Sequence, residues 1–308
     1  MRNRTPTYCA RDRGAIGASQ ALEADVVIAF DAKDDARRPD VSVVTLVTDG
    51  DHYAAMRRSF ELAGFDDATC EFIAIDNRQK PGLTASEGLN LGLEAARGTY
   101  VILCHQDVRL THDGRPEFQS RMRDLALADP HWGLAGNAGG VSPTELAIRI
   151  SDPHGHNRAD GPFPAQVQSL DENFIVVRGG ARFGVSRDHT GFHLYGADLC
   201  LGAAMAGHTA YVIDFHLTHL SAGVKDEGFD AAERTFVARW NAKLQPRWLR
   251  TTCTLMYLDG GLAERALTAM VPGDLYPKLT SARRWLAQRT SRRAVRTRSD
   301  TLSVADGA

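Results

Sequence analysis

A chain of 308 residues, 43% hydrophobic and 24% charged, has enough apolar material for one large soluble α/β domain or two small ones, and its net charge of -2 gives no global reason to bind nucleic acid. Its five cysteines, Cys9, Cys70, Cys104, Cys200 and Cys253, are scattered and form no C-x-x-C pair, which argues against a disulfide framework or a thiolate zinc site and fits a reducing cytoplasm. No window reaches the roughly 20 apolar residues that span a bilayer, and Arg2, Arg4, Arg11 and Arg13 are not followed by the apolar segment of a secretory signal.

Residues 1–40 read as a polar N-terminal extension broken only by a short apolar run at 26–30. A regular alternation then starts. The β-branched run Val41–Val47 predicts a strand, Asp49-Gly-Asp a turn, and residues 52–63 a helix that buries Ala55, Met56, Phe60 and Ala63 and stops at Gly64. Residues 70–75 predict a second strand ending at Asp76-Asn77. Ala85, Leu89, Leu93 and Ala96 recur at helical spacing up to Gly98.

Tyr100-Val-Ile-Leu-Cys-His-Gln-Asp follows. Its unbroken apolar run predicts a strand buried on both faces of a parallel sheet, and it ends in three groups able to coordinate or hydrogen-bond. Pro116 opens a helix with Phe118, Met122 and Leu125 inward, and residues 132–138 form a short strand. Between 139 and 168, Gly, Pro, His and Asp dominate, and the expectation is a long functional loop. Strands at 172–178 and 209–213 flank a helix over 195–206, two or three helices close the fold between 230 and 258, and residues 281–298 form an arginine-rich surface tail. Repeated β-α units imply a mostly parallel sheet with helices on both faces.

Polar clusters follow the strands: Asp76-Asn77, His105-Gln106-Asp107, and the segment from Asp214 to His219; Asp198 lies in a helix first turn. Open α/β sheets bind ligands beyond the carboxyl ends of their strands, and a carboxylate there can hold a divalent cation against a phosphate. Each cluster also has a structural explanation: Asp76 and Asn77 as turn formers, Asp198 as an acid at a helix N-terminus, His216 and His219 as strand-edge residues. G-x-G-x-x-G, the P-loop signature, G-x-S-x-G and H-E-x-x-H are all absent from the sequence.

In order, the segments Glu87-Gly-Leu-Asn-Leu-Gly-Leu-Glu-Ala-Ala-Arg-Gly98, His105-Gln-Asp107, Gly191-Phe-His-Leu-Tyr-Gly-Ala-Asp-Leu-Cys200 and His216 to Gly223 resemble the nucleotide-diphospho-sugar transferases of the GT-A fold, family 2-like. The resemblance implies a Rossmann-like GT-A domain over 41–225, a C-terminal helical part over 226–275 and a basic, flexible tail over 276–308. It implies an inverting transfer from a UDP-, GDP- or dTDP-sugar to a saccharide, lipid-linked or other hydroxyl acceptor. Thr45, Asp76, Asn90, His105, Gln106 and Asp107 would meet the donor. Asp107, the last position of a D-x-D-type motif, would hold Mn²⁺ or Mg²⁺ together with His219.

Asp198 would be the general base, with Asp171, Glu172 and His193 as alternatives, because Gly196 stands where many members carry the first acid. His105 replaces the first acid of D-x-D, which leaves one carboxylate. Two other readings stay open. One is a catalytically inactive binding or scaffold protein on the same fold; the other is a sugar-nucleotidyltransferase, whose Gly-rich basic signature Val47-Thr-Asp-Gly-Asp51 lacks. The expected setting is cytoplasmic, with weak contact to the inner membrane surface through the basic tail, and no nucleic-acid partner.

Overall fold

The computed structural model describes residues 28–30, 38–66, 68–79, 82–181, 183–223, 227–250, 255–258 and 261. Most of the N-terminal extension, Cys9, Cys253 and the arginine-rich tail lie outside the described residues. The chain divides into two compact units, Met1–Arg234 and Thr235–Ala308.

The first unit begins with strand β1 (Ile28–Phe30), β2 (Val41–Val47), helix α1 (Gly50–Leu62), β3 (Cys70–Asp76), α2 (Ala85–Ala95) and β4 (Tyr100–Cys104). It continues through β5 (Val108–Arg109), α3 (Arg115–Ala128), β6 (Trp132–Gly136), β7 (Ala138–Ser142), β8 (Glu145–Asp152), β9 (Gly155–Asp160), β10 (Ala165–Val167) and β11 (Ser169–Leu170). β12 (Phe174–Arg178), α4 (Tyr195–Met205), β13 (Thr209–Val212) and β14 (Leu217–His219) follow. After α5 (Glu227–Lys243), strands β15 (Arg247–Arg250) and β16 (Leu255–Leu258) pair as an antiparallel two-stranded sheet, where the sequence predicted further helix. No helix among the described residues is long and apolar enough to cross a membrane.

The main sheet has eight strands in the order β1-β3-β2-β4-β12-β6-β13-β10. β3, β2 and β4 pair in parallel, as do β6 and β13, and five strands run one way; β1, β12 and β10 run against them. The α/β architecture with a mostly parallel sheet is the one expected, but the apolar run of β12 is inserted antiparallel between β4 and β6. Side chains alternate across the sheet. Val43 and Ile102 join Phe60, Phe118, Met122 and Trp132 under α1 and α3, while Val44, Val101 and Leu103 join Leu89, Leu199 and Ala203 under α2 and α4. Fully burying each such large side chain contributes about 1.5–3 kcal/mol.

Local chemistry sets the helix starts. Asp49 caps α1 by accepting from the N–H groups of Asp51 and His52, both at 2.9 Å. Thr84 and Glu87 form a capping box on α2. The glycines of the 87–98 motif have a packing cause: a Cβ at Gly88 would run into Leu46 and one at Gly92 into Val44, so α2 lies directly on β2.

The segment 139–168 is not a loop. It forms most of a second sheet in the order β11-β7-β8-β14-β5, with β9 paired on β8. Its strands hide from a period-two reading because β8 buries neighbours, Ala147 with Ile148 and Ile150 with Ser151, while Leu146 is exposed.

Candidate active site

Strands β3, β2 and β4 end together, Val47 paired with Asp76 and Val44 with Leu103. Thr48, Asp76 and His105-Gln106-Asp107 therefore share the carboxyl edge of the sheet. Gln106 ties that edge together. Its Oε1 accepts from the N–H groups of Thr48 (2.9 Å) and Asp49 (3.0 Å), and its Nε2 donates to Thr48 Oγ1 (2.7 Å).

Asp107 and His219 are distant in sequence and are joined by the second sheet. In the antiparallel pair β5–β14, His219 lies opposite Val108, and the Leu220 N–H donates to the Asp107 carbonyl at 3.1 Å. His219 Nε2 then stands 3.3 Å from Asp107 Oδ1, and His105 Nδ1 stands 4.0 Å from the same oxygen. One ligand atom from each of the three lies within 4.8 Å of the others, a donor set and spacing that fit a divalent cation. Sequence reasoning named Asp107 and His219 as a metal pair; the structure brings His105 beside them as a third group that could ligate.

Burial opposes charge on Asp107, but the hydrogen bond and charge of His219, then His105 and Ser221, outweigh it and hold the carboxyl well below the usual range. Burial likewise pulls His219 down, and the bond and charge of Asp107, with Asp171 and Asp152, outweigh it and raise the imidazole. Burial and the neighbouring His219 lower His105.

The other expected residues divide. Asp76 is on the edge but is held by Arg78, whose guanidinium donates to it at 2.6 and 2.8 Å and keeps its pKa low. Asn90 is turned to the opposite task of tying α2 to the 185 loop, donating to the Val185 carbonyl (2.8 Å) and accepting from its N–H (3.0 Å). Thr45 is mid-strand and wholly buried, with no hydrogen-bond partner for Oγ1. Asp198 is buried too, its Oδ2 accepting from the Ser186 N–H at 2.6 Å.

Two residues matter more than their sequence positions suggested. Tyr195, the first residue of α4, reaches His105 Nε2 with its hydroxyl at 2.9 Å. Glu172, one of the alternative bases, directs Oε1 at the Gly196 N–H, 3.4 Å away. A Cβ at Gly196 would strike the Leu170 carbonyl and come within 3.3 Å of Glu172 Cγ, so the helix start carries no side chain there and the carboxyl arrives from the turn between β11 and β12. Burial pushes Glu172 up to about 7. Neither role has a sequence signal beyond proximity to Gly196, because each depends on the β12 approach meeting the start of α4.

No protein-family model matches the chain. Among solved structures, a mannosyltransferase from Pyrobaculum calidifontis in complex with GDP-mannose and Mn²⁺ overlaps 70% of this chain and 66% of its own, just under two thirds, at 13% identity and a TM-score of 0.40. A197 from STIV overlaps 61% of this chain and 98% of its own at 11% identity and a TM-score of 0.34. Overlaps this loose leave the chemistry to the residues themselves. A protein of Fuscovulum blasticum named "ATP synthase subunits region ORF 6" is 37% identical over 229 residues, spanning 72% of this chain and 92% of that one. At that identity and coverage, the chain belongs to the family of the Fuscovulum blasticum ORF 6 protein.

Proposed function

We propose that the protein is a glycosyltransferase that moves a sugar from a nucleoside-diphosphate donor (UDP-, GDP- or dTDP-linked) to a saccharide, lipid-linked or other hydroxyl acceptor. The observation that carries this reading is the convergence of His105, Asp107 and His219 at the carboxyl edge of three parallel strands. A divalent cation, Mn²⁺ or Mg²⁺, held there would neutralise charge developing on the departing diphosphate. Asp107 stays ionised at any physiological pH, and Gln106 keeps the β2 and β4 ends in fixed register around it. Asp76, on the same edge, would accept from ribose hydroxyls with the lone pairs its Arg78 pair leaves over.

Deprotonation of the acceptor falls better to Glu172 than to Asp198. Glu172 titrates near neutrality, where a general base is most useful, whereas Asp198 is closed off and committed to the Ser186 N–H. The inactive-scaffold reading draws on the bare Gly196 and that buried Asp198.

Incubation of the full chain with UDP-, GDP- and dTDP-sugars and Mn²⁺ tests the proposal. One donor should release its nucleoside diphosphate, faster when a hydroxyl acceptor is added. Donor binding without any turnover would leave the scaffold reading in its place.

A further inference from the structure

His105 raises a question that its neighbour answers. Tyr195 Oη donates to the Glu172 carbonyl at 2.8 Å and lies 2.9 Å from His105 Nε2. A tyrosine hydroxyl has one proton, and a carbonyl only accepts. That proton is therefore spent on Glu172, and Oη faces His105 with a lone pair. The neutral His105 ring must then carry its hydrogen on Nε2 and leave Nδ1 bare. Nδ1 is the nitrogen that looks toward Asp107 Oδ1, the same oxygen that His219 Nε2 approaches. The ring is also fixed at its root, since the His105 N–H donates to the Asn173 carbonyl at 2.9 Å.

We propose that Tyr195 is a positioning residue that locks His105 in the tautomer able to ligate through Nδ1. The resulting set of two imidazoles and one carboxylate selects a first-row transition cation over Mg²⁺. A bound imidazole commonly owes its orientation to the partner of its other nitrogen, and loss of such a partner costs about 10- to 100-fold in metal affinity. Mg²⁺ prefers oxygen ligands and keeps its waters, whereas imidazole suits Fe²⁺, Ni²⁺, Cu²⁺ and Zn²⁺, and Co²⁺ binds sites with nitrogen donors more tightly than Mn²⁺ or Fe²⁺. The inference rests on the metal part of the proposed function and is independent of any sugar donor.

The test titrates the metal-stripped full chain with Co²⁺, Mn²⁺ and Mg²⁺ alone, read by calorimetry and by the visible spectrum of Co²⁺. The wild type should bind Co²⁺ more tightly than Mn²⁺ or Mg²⁺. Tyr195→Phe should weaken Co²⁺ by about 10- to 100-fold and shift its spectrum. His105→Asp should narrow the preference over Mg²⁺. In that background Tyr195→Phe should change nothing further, since an aspartate has no tautomer to fix; this second comparison also separates positioning from any loss of fold. Co²⁺ binding that Tyr195→Phe leaves unchanged, or Mg²⁺ bound as tightly as Co²⁺, would overturn the inference and spare the metal site. No binding of any cation would overturn both.

Discussion

Glu172 and Asp198 present two buried or half-buried carboxyls with opposite expected behaviour. The folded-state pKa of Glu172 is raised from 4.5 to about 7. A raised carboxyl stabilises the fold while protonated, so its contribution is complete below pH ~4.5 and lost as pH climbs through about 7, a loss of roughly 3 kcal/mol by pH 8 at 1.36 kcal/mol per unit. Glu172→Gln should therefore lower turnover by about 10²- to 10⁴-fold and raise the melting temperature at pH 8. Asp198→Asn should do the reverse, weakening a buried hydrogen bond at a cost of about 1–3 kcal/mol with turnover nearly kept. Turnover and melting curves of both variants decide the base; a collapse of turnover in Asp198→Asn alone would return that role to Asp198. At this scale His105, Gln106 and Asp107 stood out because they end an apolar run, whereas His219 was singled out as a ligand only by the family resemblance. The contact of Tyr195 with His105 was not legible, because a hydroxyl reaching from a helix start to the end of a distant strand leaves no trace in spacing. Thr45 misled for the converse reason, lying mid-strand and wholly buried rather than at the edge.

Among elements, the β2-α1-β3-α2-β4 run was readable because each strand is mostly apolar and each helix has its glycine stop in the sequence. The segment 139–168 was not, since β8 buries adjacent residues and β9 is almost wholly exposed, so neither shows clean alternation. That misreading mattered, because β8 carries β14, which carries His219 to Asp107. The α2–β2 contact supplies a test of packing against propensity. Alanine at Gly92 would favour the helix by about 1 kcal/mol, yet its Cβ meets buried, β-branched Val44, and overpacking costs about 1–3 kcal/mol. Gly92→Ala should lower the melting temperature. A rise would show that α2 stands off β2 further than the glycine face indicates.

For the molecule as a whole, the main sheet supplies Asp107 through the end of β4 and the second sheet supplies His219 through β14, so the His105–Asp107–His219 cluster forms where the two sheets meet. The most direct test of that junction is calorimetric titration of UDP, GDP and dTDP into the full chain and into Asp107→Asn, with and without Mn²⁺. The predicted result is one nucleoside diphosphate that binds the wild type only with Mn²⁺ present and does not bind Asp107→Asn, whose melting transition stays cooperative. Equal affinity in both proteins regardless of metal, or no nucleotide bound under any condition, would contradict it.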